Sequence, residues 1–189
     1  MKKLIFVCTI NRHRSVIAEH LFERILEERK NGIAQKIEVT SAGIVTREQK
    51  LEIRKRGSSI HRPLFGYRPM PCVILYMQKA GIDVSEYRSK ALNAKMAKEV
   101  NLIIAMGDGH KKSVLNTYPV AKGKVFTLAE LSHSFQFENI VIKEPPGLMP
   151  TNKFCMLGCD HWSVTETIMG EIGERLEEAM SKIISYFGI

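Results

Sequence analysis

An unbroken apolar run, Leu4-Ile5-Phe6-Val7, ends at Cys8, and over residues 15–28 the apolar positions become Val16, Ile17, Leu21, Phe22, Ile25 and Leu26. The first pattern is that of a strand buried on both faces; the second, with its spacing of three and four, is that of a helix with one apolar side. Together they predict a βα unit. Further strands are predicted at about 37–40, 101–106 and 125–128, with helices at about 71–80, 91–99 and 109–117 and a long one from about 163 to 187. Strands that alternate with helices assemble as a parallel sheet covered on both faces. The expected fold class is α/β: a four-stranded parallel sheet with helices on both faces. Ligands of such sheets bind beyond the carboxyl ends of the strands, which is where the loop after strand one falls.

Two stretches break the alternation. Residues 45–71 hold seven basic side chains (Arg47, Lys50, Arg54, Lys55, Arg56, Arg62, Arg68) against Glu48 and Glu52, a net +5, with Gly57, Pro63, Gly66 and Pro69 favouring turns over a second core. This segment is expected to be a basic insertion beside the site. Residues 145–162 form a second irregular stretch before the last helix. With 189 residues and 44% hydrophobic content, a single domain spanning 1–189 accommodates both.

Composition narrows the setting. The apolar run behind Met1-Lys2-Lys3 is far shorter than a signal-peptide core or a spanning helix, so a cytoplasmic protein without membrane insertion is expected. Four scattered cysteines (Cys8, Cys72, Cys155, Cys159) do not suggest a disulfide framework. Cys155 and Cys159 with His161 could supply metal ligands, but no second Cys/His pair completes a tetrahedral set, and no metal is expected. A formal charge of +8 favours anionic partners. The basic residues are not interleaved with aromatics as in RNA-binding motifs, which counts against nucleic acid.

Between the first strand and its helix lies Cys8-Thr9-Ile10-Asn11-Arg12-His13-Arg14-Ser15. A strand that ends in a nucleophile and turns at once into a helix N-terminus makes a bowl for an oxyanion, because backbone N–H groups and the helix dipole point into it. A thiol attacks phosphorus as the thiolate, a form that helix N-termini and nearby cations favour. Arg14 supplies the cation, and its planar guanidinium can grip two phosphate oxygens at once, as Lys cannot. Five intervening residues allow the loop to wrap one tetrahedral anion. Cys8 and Arg14 are therefore the candidate catalytic pair, and Thr9, Ile10, Asn11, Arg12, His13, Arg14 and Ser15 the candidate phosphate-binding loop. Ser15 is placed either to cap the helix or to hydrogen-bond the sulfur.

The run from Val7 to Glu19 resembles the signature of the low-molecular-weight protein tyrosine phosphatase family. Further similarities follow in the family's order: Ser41-Ala42-Gly43, Ala80-Gly81-Ile82-Asp83-Val84, residues 102–106 with His110, and Lys124-Val125-Phe126-Thr127-Leu128. Residues 45–68 and 148–162 fall outside the resemblance. It implies a two-step reaction in which a phosphocysteine forms and water then hydrolyses it, with no metal and no organic cofactor. It further implies that Cys8 is the nucleophile, that Arg14 binds phosphate and stabilises the transition state, that Asn11 props the loop and that Ser15 assists the thiolate. The implied partner is a phosphorylated protein, and the basic insertion suggests acidic residues around its phosphosite.

The leaving aryloxide needs a proton, which the family takes from an Asp-Pro pair before the final helix. The best match here is Glu144-Pro145, with Asp160 the rival because it directly precedes the helix although it lacks the Pro. Three other departures stand out: Ile10 replaces a usual Gly and must either do without a positive φ or accept strain; His13 replaces a second cysteine found in many members; and Tyr87 replaces a His that contacts the loop Asn. Two alternative readings remain. One is an arsenate reductase passing a disulfide from Cys8 to Cys155 and Cys159. The other is a non-catalytic phosphate-binding module. Phosphoarginine is a second possible substrate within the phosphatase class.

Overall fold

A computed structural model describes residues 1–29, 32–45, 51, 64–132 and 160–189, the last stretch with side chains from 166 onward. Strands β1 (Lys2–Cys8), β2 (Ile37–Gly43), β3 (Leu102–Ala105) and β4 (Val125–Thr127) form one sheet in the order β2-β1-β3-β4. All three pairings are parallel. The helices are α1 (Arg14–Glu28), α2 (Pro71–Lys79), α3 (Ala94–Glu99), α4 (Asp108–Thr117), α5 (Leu128–Leu131) and α6 (Asp160–Phe187). This is the four-stranded parallel α/β fold anticipated from the alternation. The chain winds outward from β1 in both directions, so the sheet's switch point, where ligands of such folds bind, lies at the end of β1.

Side-chain alternation along β1 divides the core. Leu4, Phe6 and Cys8 join one buried cluster with Ile17, Phe22, Ile172 and Leu176 of α1 and α6. Ile5 and Val7 join another with Val100, Ile103, Val114 and Val125 on the opposite face. Period-two alternation in an inner strand packed from both sides requires apolar residues at every position, which is why the run from Leu4 to Val7 is continuous. Phe6 and Phe22 meet edge to face at 5.7 Å between ring centroids.

Boundaries differ from the sequence pattern where pairing or capping overrides hydrophobicity. β2 continues past Thr40 to Gly43 because its ladder with β1 runs to the register pair Cys8↔Gly43. α3 starts at Ala94 because the Asn93 side chain accepts from Met96 N at 2.9 Å and so caps it. The four-residue α5 has too few residues for any periodicity and is held by a capping box between Thr127 and Glu130.

Candidate active site

The loop after β1 is pinned at its start from two sides. Met106 N donates to Val7 O at 2.9 Å and Ile44 N to Cys8 O at 2.8 Å, so the backbone of the nucleophile is clamped by the segments leaving β3 and β2. At the other end the His13 carbonyl accepts from Val16 N and Ile17 N, each at 3.1 Å, and α1 begins at Arg14. The helix therefore starts one residue before Ser15. Its N-cap, His13, makes no side-chain cap, which leaves Ser15 for the sulfur.

Asn11 adopts φ 55, the one positive φ outside glycine among the described residues. The turn is thus made at Asn11, a residue that tolerates the left-handed region, and Ile10 does without positive φ. Gly43 lies behind the loop. A Cβ there would come within 2.5 Å of Phe65 Cε1, 2.7 Å of Thr9 O and 3.0 Å of Ile10 C, so the loop sits directly on the glycine backbone. Gly43→Ala is expected to push the loop off its geometry and lower kcat by about 10²-fold, since ångström-scale misplacement of reacting groups costs that much. Steady-state kinetics on an aryl phosphate, beside a thermal melt, check this.

The Asn11 amide organises the interior. Its Nδ2 donates to Ser15 Oγ at 3.0 Å and to Ser41 Oγ at 2.8 Å, and its Oδ1 accepts from Tyr87 Oη and from Lys90 N, both at 2.9 Å. Ser41 Oγ in turn donates to Glu19 Oε2. An amide nitrogen carries only two hydrogens, and both are committed. Ser15 Oγ is therefore an acceptor toward Asn11, and it lies 3.0 Å from Cys8 Sγ, within hydrogen-bond reach of the sulfur. Tyr87, where the family resemblance implied a histidine, still reaches the loop Asn, through its hydroxyl. Burial pushes the Glu19 carboxyl above its ordinary pKa, against the pull of the Ser41 hydrogen bond.

On the opposite side of the loop, Arg14 Nη1 lies 3.5 Å from Met106 O, and Thr9 Oγ1 lies 3.0 Å from His110 Nε2. Cys8 and Arg14 are only 3% and 7% exposed, and Thr9, Asn11 and Ser15 are buried as well. The candidate pair is thus enclosed, with the buried Asn11 and Ser15 packed against the loop. Ile10, Arg12 and His13 are half-buried and form its outer part.

The described end of the basic insertion returns to this rim. Arg12 Nε donates to Arg68 O at 2.7 Å, Met70 N donates to Arg12 O at 2.9 Å, and the Arg12 guanidinium lies 5.3 Å from the centre of the Tyr67 ring. Gly66 N to Ser89 O and Ser89 N to Tyr67 O fasten residues 66 and 67 to the segment that carries Tyr87. Arg68 and Arg88 both reach Glu86, at 2.8 and 3.4 Å.

Of the loop residues named from sequence, Cys8, Asn11 and Ser15 meet through the Ser15 hydroxyl, while Arg14 meets Thr9 through His110. Neither acid candidate is brought to them by a described side chain: Glu144 lies outside the described residues, and Asp160 opens α6 with its backbone alone described. Cys155, Cys159 and His161 are likewise outside what is described of side chains, as are residues 46–50 and 52–63 of the insertion. Among the described residues no group of His, Cys, Asp and Glu is arranged to hold a metal ion. Sequence reasoning assigned no role to Glu19, Ser41 or His110. A signal for Glu19 was present, since a carboxylate between Ala18 and Leu21 on the apolar face of α1 is rarely buried without a partner.

A parallel sheet whose first strand delivers a cysteine into a loop closed by an arginine at a helix start defines a cysteine-dependent phosphatase of the α/β class. Residues 3–180 match the family described as low molecular weight phosphotyrosine protein phosphatase, and the chain belongs to that family. The low molecular weight protein-tyrosine-phosphatase Ptp of Acinetobacter johnsonii is 30% identical over 127 residues, covering 67% of this chain and 72% of that protein. A protein-arginine-phosphatase of Geobacillus stearothermophilus is 28% identical over 128 residues, covering 68% and 70%. Among solved structures, a product-state mimic of the protein tyrosine phosphatase from Entamoeba histolytica superposes with a TM-score of 0.70 at 18% identity, covering 98% of this chain and 97% of that one. At that identity the likeness speaks for the fold. The protein is thus an enzyme, a phosphatase of phosphoproteins that works through a cysteine, and no helix among its described residues is long and apolar enough to cross a membrane.

Proposed function

We propose that the enzyme hydrolyses protein phosphotyrosine, with Cys8 as nucleophile and Arg14 as the phosphate-gripping cation. The Cys8 thiolate attacks phosphorus, the S–P bond forms as the P–O bond to the aryl group breaks, and the departing oxygen takes a proton from Glu144 or Asp160. Water then attacks the phosphocysteine and gives a proton to the carboxylate left by the first step, the S–P bond breaks, and inorganic phosphate leaves with the thiolate and the acid restored. Backbone N–H groups of residues 9–15 and the α1 dipole oppose the charge spread over the equatorial oxygens. The observation that carries this reading is the Ser15 hydroxyl, which lies 3.0 Å from Cys8 Sγ and accepts from Asn11 Nδ2, so that the sulfur is tied into the hydrogen-bonded loop.

Tyrosine is favoured over arginine by charge. Phosphoarginine brings a guanidinium next to its phosphoryl group, whereas the middle of this loop is Arg12, pinned beside Arg68. A neutral phenyl ring meets no such repulsion. The same rim, with Arg88, suits substrates with acidic residues near the phosphosite. The cysteines scattered along the sequence form no evident disulfide framework, which favours a reducing, cytoplasmic setting.

The test is direct. Purified protein mixed with a phosphotyrosine peptide and quenched in acid is expected to carry one phosphoryl group on the peptide containing Cys8. Its kcat/KM for that peptide is expected to exceed that for a phosphoarginine peptide and to fall with salt when the flanks are acidic. Preference for phosphoarginine would reverse the substrate assignment, and absence of the phosphocysteine would reverse the mechanism.

A further inference from the structure

His110 stands on the first turn of α4, in the crossover that leaves β3. Its ring is buried, 7% exposed, and its Nε2 lies 3.0 Å from Thr9 Oγ1 and 3.5 Å from Arg14 Nη2. Thr9 directly follows the nucleophile and Arg14 closes the loop, so the two ends of the phosphate-binding loop meet on one ring nitrogen from outside it. We propose that His110 is a positioning residue for phosphate binding, an uncharged clasp whose Nε2 lone pair orients the Arg14 guanidinium and the Thr9 side chain together.

The hydrogen placement follows from the partners. Arg14 can only donate, so the nitrogen facing it is unprotonated and the ring hydrogen is assigned to Nδ1. Nδ1 has no hydrogen-bond partner among the described residues. Burial, followed by the Arg14 charge, pushes the His110 pKa down to about 3, consistent with a neutral ring at every working pH. The Arg14 contacts to His110 and to Met106 O are long, both 3.5 Å, and hydrogen bonds of that length contribute little energy. What they supply is direction: two fixed acceptors on separate terminal nitrogens define the guanidinium plane, and bidentate capture of a phosphate depends on that plane. A histidine that only filled space would need no acceptor toward the loop.

The inference rests on Arg14 being the group that grips phosphate, and the experiment separates the two. Inorganic phosphate is used as a competitive inhibitor of aryl phosphate turnover, with a thermal melt for every variant. His110→Leu, which keeps bulk but lacks the acceptor, is expected to raise the phosphate Ki and lower kcat/KM by about tenfold. His110→Gln, whose Oε1 reaches the place of Nε2, is expected to stay close to wild type. A folded Leu variant with unchanged Ki, or Gln and Leu variants equally impaired, overturns the proposal. Should the Leu variant fail to fold, His110→Asn replaces it, since its amide falls one methylene short: Asn weaker than Gln supports the clasp, and equal values overturn it. Wild-type protein uninhibited by phosphate would instead overturn the reading of Arg14, and the clasp with it.

Discussion

Cys8→Ser protein is expected to fold, to bind phosphate and to turn over aryl phosphates on the order of 10⁴-fold more slowly than wild type, or not at all. The substitution is nearly isosteric, and the surroundings of position 8 are set by backbone: the carbonyl accepts from Ile44 N, and the Val7 carbonyl before it accepts from Met106 N. None of that changes. What changes is the ionisation of the nucleophile. A thiol ionises far more readily than an alcohol, which attacks only with a general base beside it, whereas the described side-chain neighbour of position 8 is the Ser15 hydroxyl. A factor of 10⁴ corresponds to about 5 kcal/mol in the barrier. Initial-rate kinetics with an aryl phosphate, with phosphate binding by calorimetry as the control for folding, checks this. Equal turnover in the mutant would remove Cys8 from the mechanism.

Arg14→Lys carries the second large effect, a fall in kcat/KM of about 10³-fold, from a change that keeps the charge. Position 14 is buried, the residue 7% exposed, between the loop, the Met106 carbonyl and His110. A lysine there brings one compact ammonium on a flexible stem in place of a planar fork. It cannot offer parallel N–H groups to two phosphate oxygens, and it exchanges the defined orientation of the guanidinium for rotamer freedom. The loss is expected mainly in kcat, because charge accumulates on those oxygens as the transferring group passes between sulfur and oxygen. Kinetics that separate kcat from KM test the point; a pure KM effect would mean that Arg14 serves binding alone.

The sheet was legible because its signals are local and periodic. The apolar stretch ending at Cys8, the three-and-four spacing in α1 and the apolar residues of β3 each read as their element without knowledge of the rest. Legibility was lost where an element depends on a partner. The last residues of β2, Ser41-Ala42-Gly43, carry little hydrophobicity and are strand because β1 lies alongside them. The four residues of α5 are helix because Thr127 and Glu130 cap each other.

The site divides in the same way. The candidate cysteine, arginine, serine and asparagine lie within one contiguous loop between a strand and a helix, so the spacing in that context, with the family resemblance, is enough to propose them. The groups that hold the loop come from far along the chain: Ser41 is 30 residues from Asn11, Tyr87 is 76, and His110 is 101 from Thr9. Their meeting is a consequence of strand order, because β1 lies between β2 and β3 and the segments beyond all three strands converge at one end of the sheet. Linear sequence therefore supplies the candidate atoms to attack and grip a phosphoryl group. Only the folded chain decided how those atoms are oriented, since hydrogen-bond direction is a property of neighbours in space, and the neighbours here are brought together by the parallel ladder and not by proximity along the chain.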